Sequence, residues 1–179
     1  MQRISRWTFA ALLMAAAVFL PLSLFAQSTL PTVGQTAPAF TLPSQDDTPI
    51  TLESFRGQWV VVYFYPRDMT SGCTIEAHNF QRDLKLFEAR HAVILGISVD
   101  STDSHKQFCT KESLDFRLLA DTSHSVTNAY GSLAEYNGVT IAARNTFLVD
   151  PEGKIAQVWT KVKPATASSD VLAALPSAK

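Results

Sequence analysis

Cysteine is scarce: the 179 residues hold two, Cys73 and Cys109. Two thiols allow one disulfide at most, and no spacing of histidine and cysteine resembles a zinc or copper site. Glycine is scarce as well, with seven. Gly34, Gly57 and Gly153 stand apart as turn residues, so there is no phosphate-binding run. Neither a metal nor a cofactor is expected. An excess of one charge is also missing, because 15 Lys and Arg face 16 Asp and Glu, which leaves no field to draw in nucleic acid or an anionic membrane surface. No apolar run reaches the roughly 20 residues that comfortably cross a bilayer core. There is no internal repeat and no low-complexity tract. What remains, 46% hydrophobic and 17% charged residues, is the composition of a single globular domain.

The apolar residues are unevenly spread. Residues 1–26 carry Arg3 and Arg6, no acid, and an almost unbroken apolar run over 7–20 that Pro21 interrupts. A basic start, a short apolar stretch and small residues at Ala26 and Ser28 make a secretory signal. The expected mature chain starts near Gln27 as a single domain over 27–179, exported and periplasmic. Leu22, Leu24 and Phe25 extend the apolar stretch, so an uncleaved membrane anchor is the alternative; without a cysteine at the cut, a lipoprotein is not expected. An oxidising compartment permits Cys73 and Cys109 to pair, and whether such a bridge is structural or catalytic depends on where the two residues sit.

Residues 59–65 (WVVVYFY) form a β-branched and aromatic run closed by Pro66, the pattern of a strand buried on both faces. From Cys73 the residues Ala77, Phe80, Leu84 and Phe87 recur at helical spacing. Residues 93–99 (VILGISV) read as a second buried strand. Residues 100–103 offer caps for a helix over 103–112, which carries Cys109. A short helix is expected over 125–130, a strand over 145–149, a tight turn at 150–153, a returning strand over 155–160 and a last helix over 170–175 capped by Ser169. Residues 28–35 read as an extended leader, and 40–52 as turns around Pro43, Asp46, Asp47 and Pro49. Strand, helix, strand, helix points to an α/β unit with helices covering a mixed sheet.

The chemistry concentrates where the first buried strand stops. A short polar loop follows Pro66, and Cys73 opens a helix, where unpaired N–H groups and the macrodipole stabilise a thiolate, the nucleophilic form. Thr70 stands three residues earlier, where its hydroxyl can reach the sulfur or simply cap the helix. Pro66 can limit water at the site or simply end the strand.

The run Pro66-x-x-x-Thr70-x-x-Cys73, with Arg144 ahead of Thr146-Phe-Leu-Val-Asp150, resembles the active-site pattern of the peroxiredoxins. The wider stretch YFYPRDMTSGCTIEAHNF, Gly96-Ile-Ser-Val-Asp100 with Ser104-His-Lys-Gln-Phe108, and Ala129-Tyr-Gly131 are similar to the peroxiredoxin Q, or bacterioferritin comigratory, group. The likeness covers about residues 31–175. It implies a thioredoxin-like fold with a central mixed β-sheet flanked by helices, and a peroxidase that reduces hydrogen peroxide and organic hydroperoxides with electrons from a thioredoxin-like protein, acting as a monomer. It assigns Cys73 as the nucleophile and Arg144, Thr70 and Pro66 as its surroundings. Glu76 matches a glutamate of the group, either orienting Arg144 or lying exposed on the helix.

One position departs from that pattern. Many members carry a second cysteine five residues after the first; here it is His78, expected at the surface. Other members place the resolving cysteine on the following helix, which leaves Cys109 for that role, with a buried packing residue as its alternative. His105, four residues before Cys109 on the same helix face, is expected in solvent, with support of the Cys109 thiolate as its alternative, and His91 and His124 are expected in loops. Rival readings have less support. A disulfide oxidoreductase needs Cys-x-x-Cys, but Thr70 and Glu76 flank Cys73 at that spacing. A copper-delivering thioredoxin-fold protein needs Cys-x-x-x-Cys, but Met69 and Ala77 stand there. The remaining rival is a secreted, non-enzymatic domain with a structural disulfide.

Overall fold

The β-branched run becomes the middle of the sheet. A computed structural model describes residues 29–177; the signal segment expected over 1–26 lies outside the described residues. β3 (Trp59–Phe64) has every residue from Val60 onward buried. It pairs in parallel with β4 (Ala92–Ser98), which pairs in parallel with β5 (Arg117–Ala120). On its other side β3 pairs antiparallel with β8 (Thr146–Val149), and β8 with β9 (Ile155–Trp159). The order β5-β4-β3-β8-β9 makes a mixed five-stranded sheet. The crossovers are α1 (Ser71–Glu88) and α2 (Thr102–Glu112), and the short α3 (Ser125–Ala129) and α4 (Ala167–Ala174) complete the helices. This is the thioredoxin-like α/β fold that the motif implies.

Side chains alternate across β3, as the strand period requires. Val61, Tyr63 and the following Tyr65 enter one core with Ala77, Phe80 and Phe87 of α1, Phe108 of α2, Val171 of α4 and both cysteines. Val60, Val62 and Phe64 enter the other with Phe40, Leu42, Tyr130 and Phe147. The expected helical stripe of α1 is therefore real, with Leu84 packed at its margin. Ser101 caps α2, its hydroxyl accepting from the Ser104 N–H at 3.3 Å.

Four places differ from the sequence reading. The segment expected as turns is a small hairpin of β1 (Thr41–Pro43) and β2 (Pro49–Thr51), in which Leu42 faces Ile50 and both are buried. Its prolines face each other at the loop end, where missing N–H donors do least damage. A second hairpin, β6 (Leu133–Tyr136) with β7 (Val139–Ala142), and the edge strand β5 were not anticipated. Ser169 is not a cap: α4 starts before it, and its hydroxyl donates back to the Thr166 carbonyl at 2.9 Å, as serines inside helices do.

Gly96 is needed for close approach. It faces Tyr63 across the sheet, and a Cβ there would stand 2.7 Å from the Tyr63 ring and hydroxyl and from Leu118. Tyr63 is itself wedged between Tyr65 and Phe80, with ring centroids 5.5 and 4.7 Å away, so it has no room to retreat. Gly96→Ala should lower the unfolding free energy by about 1–3 kcal/mol, the usual effect of overpacking a core. Urea denaturation measures this, and an unchanged midpoint would mean that the aromatic layer yields.

Candidate active site

The site begins with a helix start beside a buried strand end. Thr70 is the N-cap residue of α1, in extended conformation, and Cys73 is the third helical residue, in the first turn where backbone N–H groups lack helical partners. Cys73 is 2% exposed. Its sulfur accepts from Arg144 Nη2 at 3.3 Å. The approach depends on Gly72, where a Cβ would come within 3.2 Å of the same nitrogen. Arg144 lies in the short link between β7 and β8, and its carbonyl is held by the Val162 N–H at 2.9 Å. Its other nitrogen, Nη1, makes an ion pair with Glu76 Oε2.

Glu76 is wholly buried, one turn after Cys73. That decides the question left open by its sequence position: it orients Arg144. Its second oxygen, Oε1, has no hydrogen-bond partner. Burial pushes its pKa up to about 7 even though the guanidinium pulls the other way. One side chain thus holds a cation beside the sulfur while tending toward neutrality itself.

Thr70 is exposed and its hydroxyl donates to the Arg67 carbonyl at 3.0 Å, bracing the loop, with neither a bond to the sulfur nor a side-chain cap. Pro66 is half-buried and lines a hollow with Arg67, Asp100, His124 and Thr140. Cys109 is buried in the same core as Cys73, and both are free thiols. Burial, with the Asp68 carboxylate adding to it, pushes the Cys109 thiol up to about 12. His78 is at the surface as expected, its Nε2 2.9 Å from Glu112 Oε2 on α2.

His105 corrects the sequence reading. It is not in solvent but completely buried, with Nδ1 2.8 Å from Asp68 Oδ2. Asp68, overlooked in the sequence, also accepts from Tyr65 Oη and Ser104 Oγ, each at 2.7 Å. The only hint was an acid placed directly between a buried strand and a helix, which is normally a solvated loop residue.

Residues 33–158 match the AhpC/TSA family, and the peroxiredoxin Bcp of Xanthomonas campestris is 42% identical over 132 residues, spanning 72% of this chain and 82% of that protein. The chain belongs to the peroxiredoxins. The peroxiredoxin Bcp of Bacillus subtilis is 38% identical over 138 residues, covering 73% of this chain and 86% of that one. Among solved structures, a Xylella fastidiosa PrxQ variant superposes with a TM-score of 0.77 at 32% identity, covering 81% of this chain and 95% of its own. The Xanthomonas campestris bacterioferritin comigratory protein, which has alkyl peroxide reduction activity, does so with a TM-score of 0.74 at 38% identity, covering 80% and 96%. These place the protein in the peroxiredoxin Q group, and its activity is that of a thiol peroxidase that takes a peroxide and is served by a redox partner.

The buried carboxyl of this peroxiredoxin leaves a thermodynamic signature. With its pKa at about 7 in the folded state against 4.5 otherwise, Glu76 keeps a proton on folding that the unfolded chain releases. Stability therefore falls as pH rises from about 4.5 to 7, by on the order of 3 kcal/mol for a shift of this size. Glu76→Gln should remove this contribution. Urea unfolding of parent and variant across the window measures the difference, and parallel curves would place the titration elsewhere.

Proposed function

We propose that Cys73 is the peroxidatic nucleophile of this thiol peroxidase and that Cys109 resolves it. The observation that carries the reading is the Arg144 guanidinium, 3.3 Å from a first-turn cysteine sulfur and backed by a buried carboxylate. The thiolate attacks one peroxide oxygen as the O–O bond breaks. The departing oxygen gathers negative charge, takes a proton and leaves as water or an alcohol, and Cys73 becomes a sulfenic acid. Arg144 lies where that charge develops and needs no reorganisation to meet it. Thr70 turns its hydroxyl from the Arg67 carbonyl to the bound peroxide, and Pro66 limits water at the mouth. The substrate range is hydrogen peroxide and organic hydroperoxides, in line with the alkyl peroxide activity of the Xanthomonas relative.

The Cys109 thiolate then attacks the sulfenic sulfur, forming a disulfide with loss of water, and a thioredoxin-like dithiol reduces that bridge. A disulfide needs its Cα atoms within roughly 7 Å, whereas packed helices lie about 8–10 Å apart. The first turn of α1 and part of α2 therefore unwind, and exposure to water relieves the burial that keeps Cys109 protonated. An intramolecular bridge needs no second copy, which supports a monomer. Arg3, Arg6 and the apolar run over 7–20 support export to the periplasm with cleavage near Ala26.

Cys73→Ser should abolish peroxidase turnover in a folded protein, and Arg144→Ala should slow Cys73 oxidation about 100-fold or more. Non-reducing peptide mapping after one equivalent of peroxide should find Cys73 linked to Cys109 within a monomer, while Cys109→Ser accumulates sulfenic acid. Undiminished cycling of Cys109→Ser with a thioredoxin-type reductant would make Cys109 a packing residue. Protein recovered from the envelope should have lost residues 1–26 by mass. An intact Met1 would instead mean a membrane anchor.

A further inference from the structure

We infer that the buried pair of Asp68 and His105 is a latch between the loop leading into Cys73 and the helix carrying Cys109, and that its opening gates disulfide formation. The inference rests on the reading of Cys109 as the resolving thiol. Asp68 lies five residues before Cys73, and His105 four residues before Cys109 on the same buried stripe of α2. Their side chains are 2% and 0% exposed. Two residues in the first turn of α2 hold one carboxylate: His105 Nδ1 at 2.8 Å and Ser104 Oγ at 2.7 Å, both on Asp68 Oδ2. Tyr65 Oη donates to Oδ1 at 2.7 Å. The Asp68 N–H donates to Asp100 Oδ2 at 2.9 Å, and the Ser98 hydroxyl to the same oxygen at 2.7 Å, so the far side of the latch is tied to the end of β4. Among the described residues this is the one polar cluster that joins the nucleophile's loop to α2 from inside the protein.

The chemistry suits a contact that must open and close. A hydrophobic contact loses its stabilisation outright when it is exposed, whereas carboxylate, imidazole and hydroxyls exchange one another for water. Buried polar pairs can often be replaced by apolar side chains with no loss of stability, so stability alone does not call for one here. The closed latch also leaves His105 Nε2 buried without a partner, and opening gives that nitrogen water. The cluster therefore holds α2 folded while Cys73 reacts with peroxide and yields once the sulfenic acid has formed. Asp68 and His105 are positioning residues, acting on the reaction through the helix they fasten.

Asp68→Asn and His105→Gln should each raise amide exchange across residues 102–112 of the reduced enzyme, leaving β3 and β4 unchanged. They should also speed conversion of sulfenic acid to disulfide, each effect about tenfold, the size of one lost charged hydrogen bond. Faster resolution should make overoxidation of Cys73 by excess peroxide correspondingly rarer. Ser104→Ala removes one donor without a charge and should move the same readouts in the same direction by less, which covers the case in which neither other variant folds. Asp83→Asn, which loosens the tie from α1 to Ser168 of α4, serves as the control and should change neither α2 exchange nor the resolving step. Unchanged exchange in α2, or faster exchange with an unchanged rate of disulfide formation, overturns the latch. Equal slowing of peroxide reaction and resolution also overturns it, since that marks general damage. Absence of any Cys73 to Cys109 link in the parent overturns the resolving role itself, and this is visible without a variant.

Discussion

A guanidinium held beside a buried sulfur is the interaction on which this structure depends. Arg144, itself half-buried, touches both Cys73 and Glu76, so a buried carboxyl that would be costly to cover alone has a cation for a partner. The arrangement constrains the chain on all sides. A Cβ at Gly72 would crowd the guanidinium at 3.2 Å, the link between β7 and β8 must place Arg144 over the first turn of α1, and the loop after β9 reaches back to hold the arginine carbonyl through Val162. The sheet order, with β8 inserted beside β3, brings residues 73 and 144 together.

The same hydrophobic core places its two thiols in different surroundings. Cys73 sits at a helix start with a cation against it, while Cys109 sits mid-helix among apolar groups, its thiol pushed far up by burial. The polar cluster around Asp68 lies between the two, fastening the loop before one cysteine to the helix that bears the other.

Much of the fold was legible because it is periodic. The runs that became β3 and β4 and the stripe of α1 follow from spacing alone, since burial on two faces or on one stripe leaves a pattern in hydrophobicity. The hairpin of β1 and β2 was not legible: it is three residues a side, rich in proline and aspartate, and its pairing is decided by Leu42 and Ile50 finding the core rather than by local preference. The edge strand β5 is four residues long with buried leucines next to each other, and the hairpin of β6 and β7 leaves most of its side chains at least partly exposed, so neither carries an alternating pattern to read.

The site divides along similar lines. Cys73 could be singled out from its place at a helix start after a buried strand, which is local, whereas Arg144, Thr70 and Pro66 entered through the resemblance to the peroxiredoxin pattern; the structure brings Arg144 to the sulfur and leaves the Thr70 hydroxyl on the Arg67 carbonyl. The burial of Glu76 and of His105 could not be read, because a charged or titratable side chain at a helix position carries no sign of which face will be covered or what partner waits there. Only the packed chain brings Asp68 to His105 across 37 residues and Glu76 to Arg144 across 68. The amino-acid order by itself determined that Cys73 would open a helix directly after a buried strand. The tertiary structure decided which charges would be buried beside it, because desolvation and pairing depend on neighbours distant in the chain.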